Sequence, residues 1–345
     1  MVEIAAHRDP RLTTQGIDVT AQTTVHDDMR TPAGSRPTTW LITGGPGPER
    51  HGSLISGRDV AAAFAEMGVE HRTIDLVSIA DAALRPGDVA FLTTHGQWGE
   101  DGKLQGFLET LRVSYTGPGV LGAAMSMHKA VTNRVAESVG VSVPVWLRVT
   151  AATPSVQIAD FVDRYGPRVV LRPATGGGSR GVVVGESAEM ILAALADTTW
   201  EHPDFVLSPF VVGKEISVAC IAESHGVQHL PILQTEFDGP LYDYTIKHDA
   251  TLRRHHCPAP LAEHTVRSLR RSCERLYERL GLSGFARFDF LVPEDGIPRF
   301  LEVNALPGMA RSGNLATMAA AGGVGYPELV RRQLASAAST DRYRP

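Results

Sequence analysis

The sequence predicts an α/β fold in which an N-terminal parallel-sheet domain precedes two α+β subdomains. Three stretches carry that expectation. Residues 39–93 alternate strand, helix and strand, the pattern of a parallel sheet. Residues 168–184 read as two strands around the glycine-rich run Thr175-Gly-Gly-Gly-Ser-Arg-Gly181. Gly284-Phe-Ala-Arg-Phe-Asp-Phe-Leu-Val292 and Pro298-Arg-Phe-Leu-Glu-Val-Asn304 read as two strands, and the turn-like Pro293-Glu-Asp-Gly-Ile297 makes a hairpin of them.

Residues 1–37 lack a sustained apolar period and read as a disordered extension. Order begins with the strand Thr39-Trp-Leu-Ile-Thr43, which runs into Gly44-Gly-Pro-Gly-Pro48. Leu54, Gly57, Ala61, Phe64 and Met67 recur at helical spacing. His71–Leu76 and Val89–Thr93 are further strands, completing a first domain over 38–122. A helix over Val120–Gly140 carries Lys129 and opens the central subdomain, 123–212, which contains the glycine-rich run. The C-terminal subdomain, 213–345, holds a strand over Val227–Glu236, a long connection over Phe237–Pro260 and a helix marked by Leu269, Cys273, Leu276 and Leu280. It ends in the hairpin and two helices from Asn314 onward.

At 345 residues, 43% apolar and 21% charged, the chain has the composition of a globular protein with a large core. A net charge of −5 and a pI near 6.2 give no footprint for nucleic acid. Three cysteines without a CxxC pair argue against a disulfide framework and point to a reducing cytoplasm. No apolar run reaches the length of a membrane span, and no signal peptide is visible, so a membrane is not expected as a partner.

Strand alternation puts Arg287 and Asp289 on one face of the first hairpin strand, and Glu302 and Asn304 on one face of the second. If the faces coincide, their oxygens suit a hard divalent cation; a solvated polar edge fits the same pattern. The glycine-rich run lies between strands rather than before a helix, so it is neither a P-loop nor a dinucleotide fingerprint. It can cradle phosphate through backbone N–H groups or simply be a hairpin tip, with Arg172 before it as a fixed cation. Gly44-Gly-Pro-Gly-Pro48 lacks dinucleotide spacing and better suits a small-substrate loop at a sheet's C-terminal edge. His95-Gly-Gln-Trp-Gly-Glu-Asp-Gly102 reads alone as a turn with solvated charges, as do His255, His256 and Cys257 as loop residues. Arg267, Arg270, Arg271 and Glu274 read as a solvated helix face.

Taken in order, Gly44-Gly…Glu49-Arg50, His95-Gly…Gly99-Glu-Asp-Gly102, Tyr115-Thr-Gly117…Ser126-Met-His-Lys129, Gly213-Lys-Glu215, Tyr242-Asp-Tyr244…Lys247, Cys257-Pro-Ala259, Arg287-Phe-Asp289 and Glu302-Val-Asn304…Pro307-Gly-Met309 resemble the ATP-grasp ligases, most closely the D-alanine–D-alanine ligases. The likeness runs from about residue 39 to 335. It implies an ATP-grasp fold, and a reaction in which a carboxylate takes the γ-phosphoryl group of ATP and an amine then displaces phosphate to form an amide. It implies ATP and a pair of Mg²⁺ ions (Mn²⁺ being an alternative), small carboxylate and amine substrates, and a homodimer. Asp289, Glu302 and Asn304 then hold the metal. Lys129, Arg172, Gly177, Gly178, Ser179, Ser208, Phe210, Val211, Glu215 and Lys247 hold the nucleotide. Arg287, Lys247, His248, His51 and Ser179 take part in catalysis. Glu49, His51, His95, His248, Arg287, Gly308, Ser312, Gly313 and Asn314 surround the substrates.

Some positions depart from the family. Arg172, His128 and Ser208-Pro209 replace a lysine, an aspartate and a Glu-Lys pair. His51 stands where a carboxylate for the substrate ammonium is expected, Gly178 replaces a serine, and His248 replaces a tyrosine. A neutral histidine cannot replace that carboxylate. The expectation is therefore a specialised amide-forming ligase whose first substrate is not plain D-alanine. The alternatives are a D-alanine–D-alanine ligase, an ester-forming D-lactate relative, a non-catalytic ATP-binding protein and, from Gly44–Gly47 alone, a Rossmann dehydrogenase.

Overall fold

Trp40, Leu41 and Ile42 bury an apolar strand, β1 (Thr39–Thr43), in the middle of a four-stranded sheet. β2 (His71–Asp75) flanks it on one side; β3 (Val89–Leu92) and then β4 (Ser114–Tyr115) lie on the other. All three pairings are parallel. Helix α1 (Arg50–Glu66) follows β1, and α2 (Lys103–Thr110) follows β3. Loops after parallel strands open at one edge of the sheet, so residues 44–49 and 93–102 come to the same edge. The βαβ expectation is met. The structure is a computed structural model that describes residues 36–196, 204–223, 225–239, 246 and 250–339. The extension to residue 35, Lys247 and His248 lie outside the described residues.

The predicted helix over 120–140 is two helices, α3 (Val120–Met127) and α4 (Lys129–Ser138). His128 between them is extended, with φ −106° and ψ 102°. Its side chain reaches Asp204, 3.1 Å away, and the N–H of Lys129 donates to the Ala174 carbonyl at 2.7 Å. Long-range partners therefore override a continuous helical pattern. Ala130 at the start of α4 packs with Ala174 and Val206, whereas Ala136 near its end belongs to the core of a different sheet.

A second sheet is antiparallel, ordered β5 (Leu147–Thr150), β8 (Asp204–Pro209), β6 (Val169–Pro173), β7 (Val183–Gly185). β5 starts later than the expected Val143. Helices α5 (Ser155–Tyr165) and α6 (Ala188–Leu195) cover one face through Ile158, Phe161, Val162 and Ile191. The glycine-rich run is the β6–β7 connection.

The third sheet is built on β9 (Lys214–Glu223) and β13 (Phe285–Val292), paired antiparallel over eight residue pairs. β14 (Arg299–Asn304) lies outside β13; β10 (Gly226–His229) and β11 (Leu233–Phe237) both pair with β9, and β12 (Arg253–His256) closes the edge. The expected single strand over 227–236 is interrupted because Pro231 has no N–H for the ladder. His255 and His256 are strand residues rather than loop residues, with His256 2.8 Å from Glu236. Along β13, Ala286, Phe288 and Phe290 are fully buried, while Arg287, Asp289 and Leu291 on the other face are only partly so. Beneath the buried face lies α7 (Glu263–Arg279), whose Leu269, Cys273 and Leu276 enter the core with Cys220. The other helical face, with Arg267, Arg270, Arg271 and Glu274, is exposed as expected. Helices α8 (Asn314–Ala321) and α9 (Tyr326–Ala335) join this sheet to the first: Leu315, Met318, Leu329 and Val330 pack with Phe64 and Phe91. All three cysteines are free, and among the described residues no helix is long and apolar enough to cross a membrane.

Candidate active site

The hairpin faces do coincide. β13 and β14 pair Asp289 with Glu302 and Arg287 with Asn304, and side chains of such cross-strand pairs share a face. The register then skips one residue, from Asp289–Glu302 to Phe290–Phe300. Leu301 is thus a bulge residue, and its carbonyl accepts from Arg172 at 3.5 Å. Arg287 grips Asp289 with Nε 2.9 Å from Oδ1 and Nη2 2.9 Å from Oδ2; Ser217 Oγ donates to Oδ1 at 2.6 Å.

Two cavities open beside this face, of about 790 and about 270 Å³. The larger runs between the second and third sheets and is lined by Arg172, Ser179, Ser208, Phe210, Val211, Glu215, Asp289 and Asn314. The smaller lies under the edge of the first sheet, against Glu49, His51, His95, Glu100, Gly178, Asn304 and Gly308. Lys129, Gly176, Gly177, Arg180, Arg287 and Glu302 line both and mark where they meet. Lys129 Nζ donates to the Gly176 carbonyl at 2.6 Å and stands 3.5 Å from Glu302. Burial lowers its pKa, and Arg172 adds to that; the Glu302 carboxylate works the other way. An incoming anion at this point would favour the charged amine.

Glu49 and Arg50 diverge. Arg50 turns back to Asp75, 2.6 Å away, and to the Gly45 carbonyl, which pins the 44–49 loop. Glu49 turns toward the glycine-rich run, where a Cβ built on Gly177 would lie 2.7 Å from Oε1. Gly96 on the other side has φ +72° and no room for a Cβ against Oε2. The carboxylate is therefore held between two glycines. His51 is exposed at the mouth of the smaller cavity. Glu49, two residues before His51, thus brings a carboxylate into the smaller cavity.

The 95–102 loop is not a solvated turn. Glu100 accepts from the Gly96 N–H at 2.7 Å and stands 3.5 Å from His95 Nδ1. With its amide nitrogen toward them, Asn304 reaches Glu100 Oε1 at 3.2 Å and the Leu306 carbonyl at 3.1 Å. Ser56, fully buried, lies 3.4 Å from His95 Nε2 and accepts from the Met309 N–H at 3.2 Å. Sequence reasoning missed Ser56, Glu100, Ser126, Arg180 and Ser217. Glu100, Ser126 and Arg180, inside quoted runs, carried a local signal; Ser56 and Ser217 carried none. Of the expected loop residues, Gly308 and Asn314 line the cavities; Ser312 is exposed and Gly313 caps α8.

Burial opposes a proton on His95, but the Glu100 carboxylate, with Glu49 beyond it, raises its pKa above the ordinary histidine value. A raised folded pKa stabilises the native state fully below the unfolded value of about 6.5, and that contribution is lost as pH rises through the folded value. Glu100→Gln should lower the His95 midpoint in an imidazole NMR titration; an unmoved midpoint would refute the pairing.

Residues 135–335 match the family model described as "D-ala D-ala ligase C-terminus", and residues 74–118 match that of the N-terminus. The D-alanine–D-alanine ligase of Dechloromonas aromatica is 34% identical over 299 residues, which cover 87% of this chain and 97% of that one. The chain belongs to the D-alanine–D-alanine ligase family. A second family member, from Anaeromyxobacter dehalogenans, is 35% identical over 304 residues, 86% of this chain and 96% of its own. The D-alanine–D-alanine ligase structure from Bacillus anthracis has a TM-score of 0.76 at 26% identity and covers 89% of this chain and 99% of that one. A structure of the Bacillus anthracis ligase complexed with ATP also has a TM-score of 0.76, at 24% identity. The fold is thus the ATP-grasp fold, and the family member described here is an ATP-dependent, ADP-forming carbon–nitrogen ligase.

Proposed function

We propose that this ligase joins two D-alanine molecules, using the larger cavity for ATP and the smaller for the amino acids. The observation that carries this reading is the Glu49 carboxylate in the smaller cavity, next to the junction where Lys129, Arg287 and Glu302 converge. A carboxylate held between glycines fits a substrate ammonium. That group's own carboxylate would then point to the junction, where it attacks the γ-phosphorus and the bond to the β-phosphate oxygen breaks, leaving ADP. Lys129 and Arg172 neutralise the phosphates, and Arg287 stabilises charge on the transferring group. The second amine, deprotonated, attacks the acyl carbon; inorganic phosphate departs and an amide remains. Gly308, beside His95, borders the second amino acid's space, whereas Asn314 lines the larger cavity.

The donor set fits Mg²⁺. Among the described residues no three His, Cys, Asp or Glu side chains could hold a metal by themselves. Asp289 and Glu302, paired across the hairpin, would need the amide of Asn304 and phosphate oxygens to complete an oxygen shell, which is how Mg²⁺ is usually bound. Such an ion would supply charge neutralisation at the phosphates. Roles for Lys247 in nucleotide binding and for Lys247 and His248 in catalysis are proposed from the family resemblance alone. The domain division at residues 122 and 212, cytoplasmic location and a homodimer are likewise proposals, resting on the family.

Gly178 supports a second reading, in which amino-acid selection is altered. It sits beside Glu49 without a hydroxyl, so one hydrogen-bonding group of the pocket is absent. ADP release measured with D-alanine, D-serine and D-lactate separates the two. Turnover with D-alanine alone is the expected result; turnover only with mixed or hydroxy-acid pairs would replace the first reading by the second.

A further inference from the structure

The pocket face of the segment 168–172, β6 with the residue before it, carries an arginine at each end. Arg168, Val170 and Arg172 alternate outward and all line the larger cavity, while Val169 and Leu171 are fully buried on the opposite face. The four-step rise from Arg168 to Arg172 spans about 13 Å of extended chain. Arg172 is the end near Glu302 and the glycine-rich run. Arg168 is the end near Phe210: its guanidinium carbon lies 4.0 Å from the ring centroid, and its own carbonyl accepts from the Phe210 N–H at 2.9 Å. Both arginines have a buried Nε with no hydrogen-bond partner among the described residues. A guanidinium with an orphan donor is costly unless something with an acceptor arrives. At the Arg172 end the phosphates of the proposed nucleotide answer that need. A ligand lying along Val170 brings its ring, with lone pairs on its nitrogens, to the other end.

We infer that Arg168 is a base-recognising residue, its guanidinium stacked on Phe210 and donating to a ring acceptor of the nucleotide. This rests on the placement of the phosphates at Arg172 proposed above. Stacking fixes the plane of the fork, so that little side-chain freedom is lost when the base binds. Phe210 thus acts through Arg168 as well as through its own surface.

Calorimetric titration of the whole chain with ATP, and separately with tripolyphosphate as a base-free probe, tests the assignment. Arg168→Leu should weaken ATP about ten-fold and leave tripolyphosphate within about two-fold of the parent; Arg172→Gln should weaken both. Arg168→Lys keeps the charge but loses the planar fork, and should repeat the ATP-only loss if the leucine variant does not fold. If Arg172→Gln weakens both ligands and neither Arg168 variant discriminates between them, Arg168 does not read the base. If Arg172→Gln weakens neither, the phosphate placement itself is wrong, and the assignment falls with it.

Discussion

Replacing Arg287 with methionine is expected to lower kcat by about 10²–10³-fold, the usual cost of removing one preorganised donor from a developing oxyanion. Arg287 stands at the junction of the two cavities, its fork locked on Asp289, so it is aimed before substrate arrives. Preorganisation is what distinguishes such a cation from one recruited from solvent. Removing it also takes the guanidinium away from the Asp289 carboxylate, which keeps the Ser217 hydroxyl, and this costs stability. Thermal unfolding of the variant, measured beside steady-state ADP release, separates the two effects. A folded variant within ten-fold of the parent kcat would remove Arg287 from the chemistry.

The second large effect is expected at Glu49. Glu49→Gln keeps the shape between Gly96 and Gly177 but removes the charge, and should reduce kcat/KM for D-alanine about 10²-fold or more. His51→Ala, at an exposed position of the cavity mouth, should change it by less than about three-fold. The comparison is decisive because the two residues lie two apart at the start of α1. If His51→Ala proves the more damaging, the carboxylate has been assigned to the wrong side chain.

That pair also shows where local reading stops. Glu49, Arg50 and His51 are consecutive titratable residues, and successive residues on a helix point about 100° apart. Which one enters the site depends on the backbone at Glu49 (φ −89°, ψ 3°) and on Asp75, which draws Arg50 away. Neither is visible in the motif. The hairpin was legible for the opposite reason: a period of two through Ala286, Phe288 and Phe290 leaves Arg287 and Asp289 on the other face, and Glu302 and Asn304 alternate with buried Val303 to meet them. The parallel sheet was legible from its alternation of elements. Ser56 and Ser217 were not, since their roles come from His95, Met309 and Asp289, distant in sequence. The break at His128 was hidden by an apolar period that continues across it, and set by Asp204 and Ala174.

Helix α4 begins against Ala174 and Val206 of one sheet and ends in the core of another, with Lys129 at its first turn. If the two sheets beside the larger cavity move as jaws, this helix, packed on both, would run through their joint. A point close to a pivot travels less than a point farther out for the same rotation. The ammonium of Lys129, proposed to meet the phosphates, would then be tied to the pivot, while Arg168, about 13 Å of extended chain from Arg172, would ride on the longer arm. Any rocking of the jaws would grip and release the ring end of a nucleotide while leaving its phosphates nearly still.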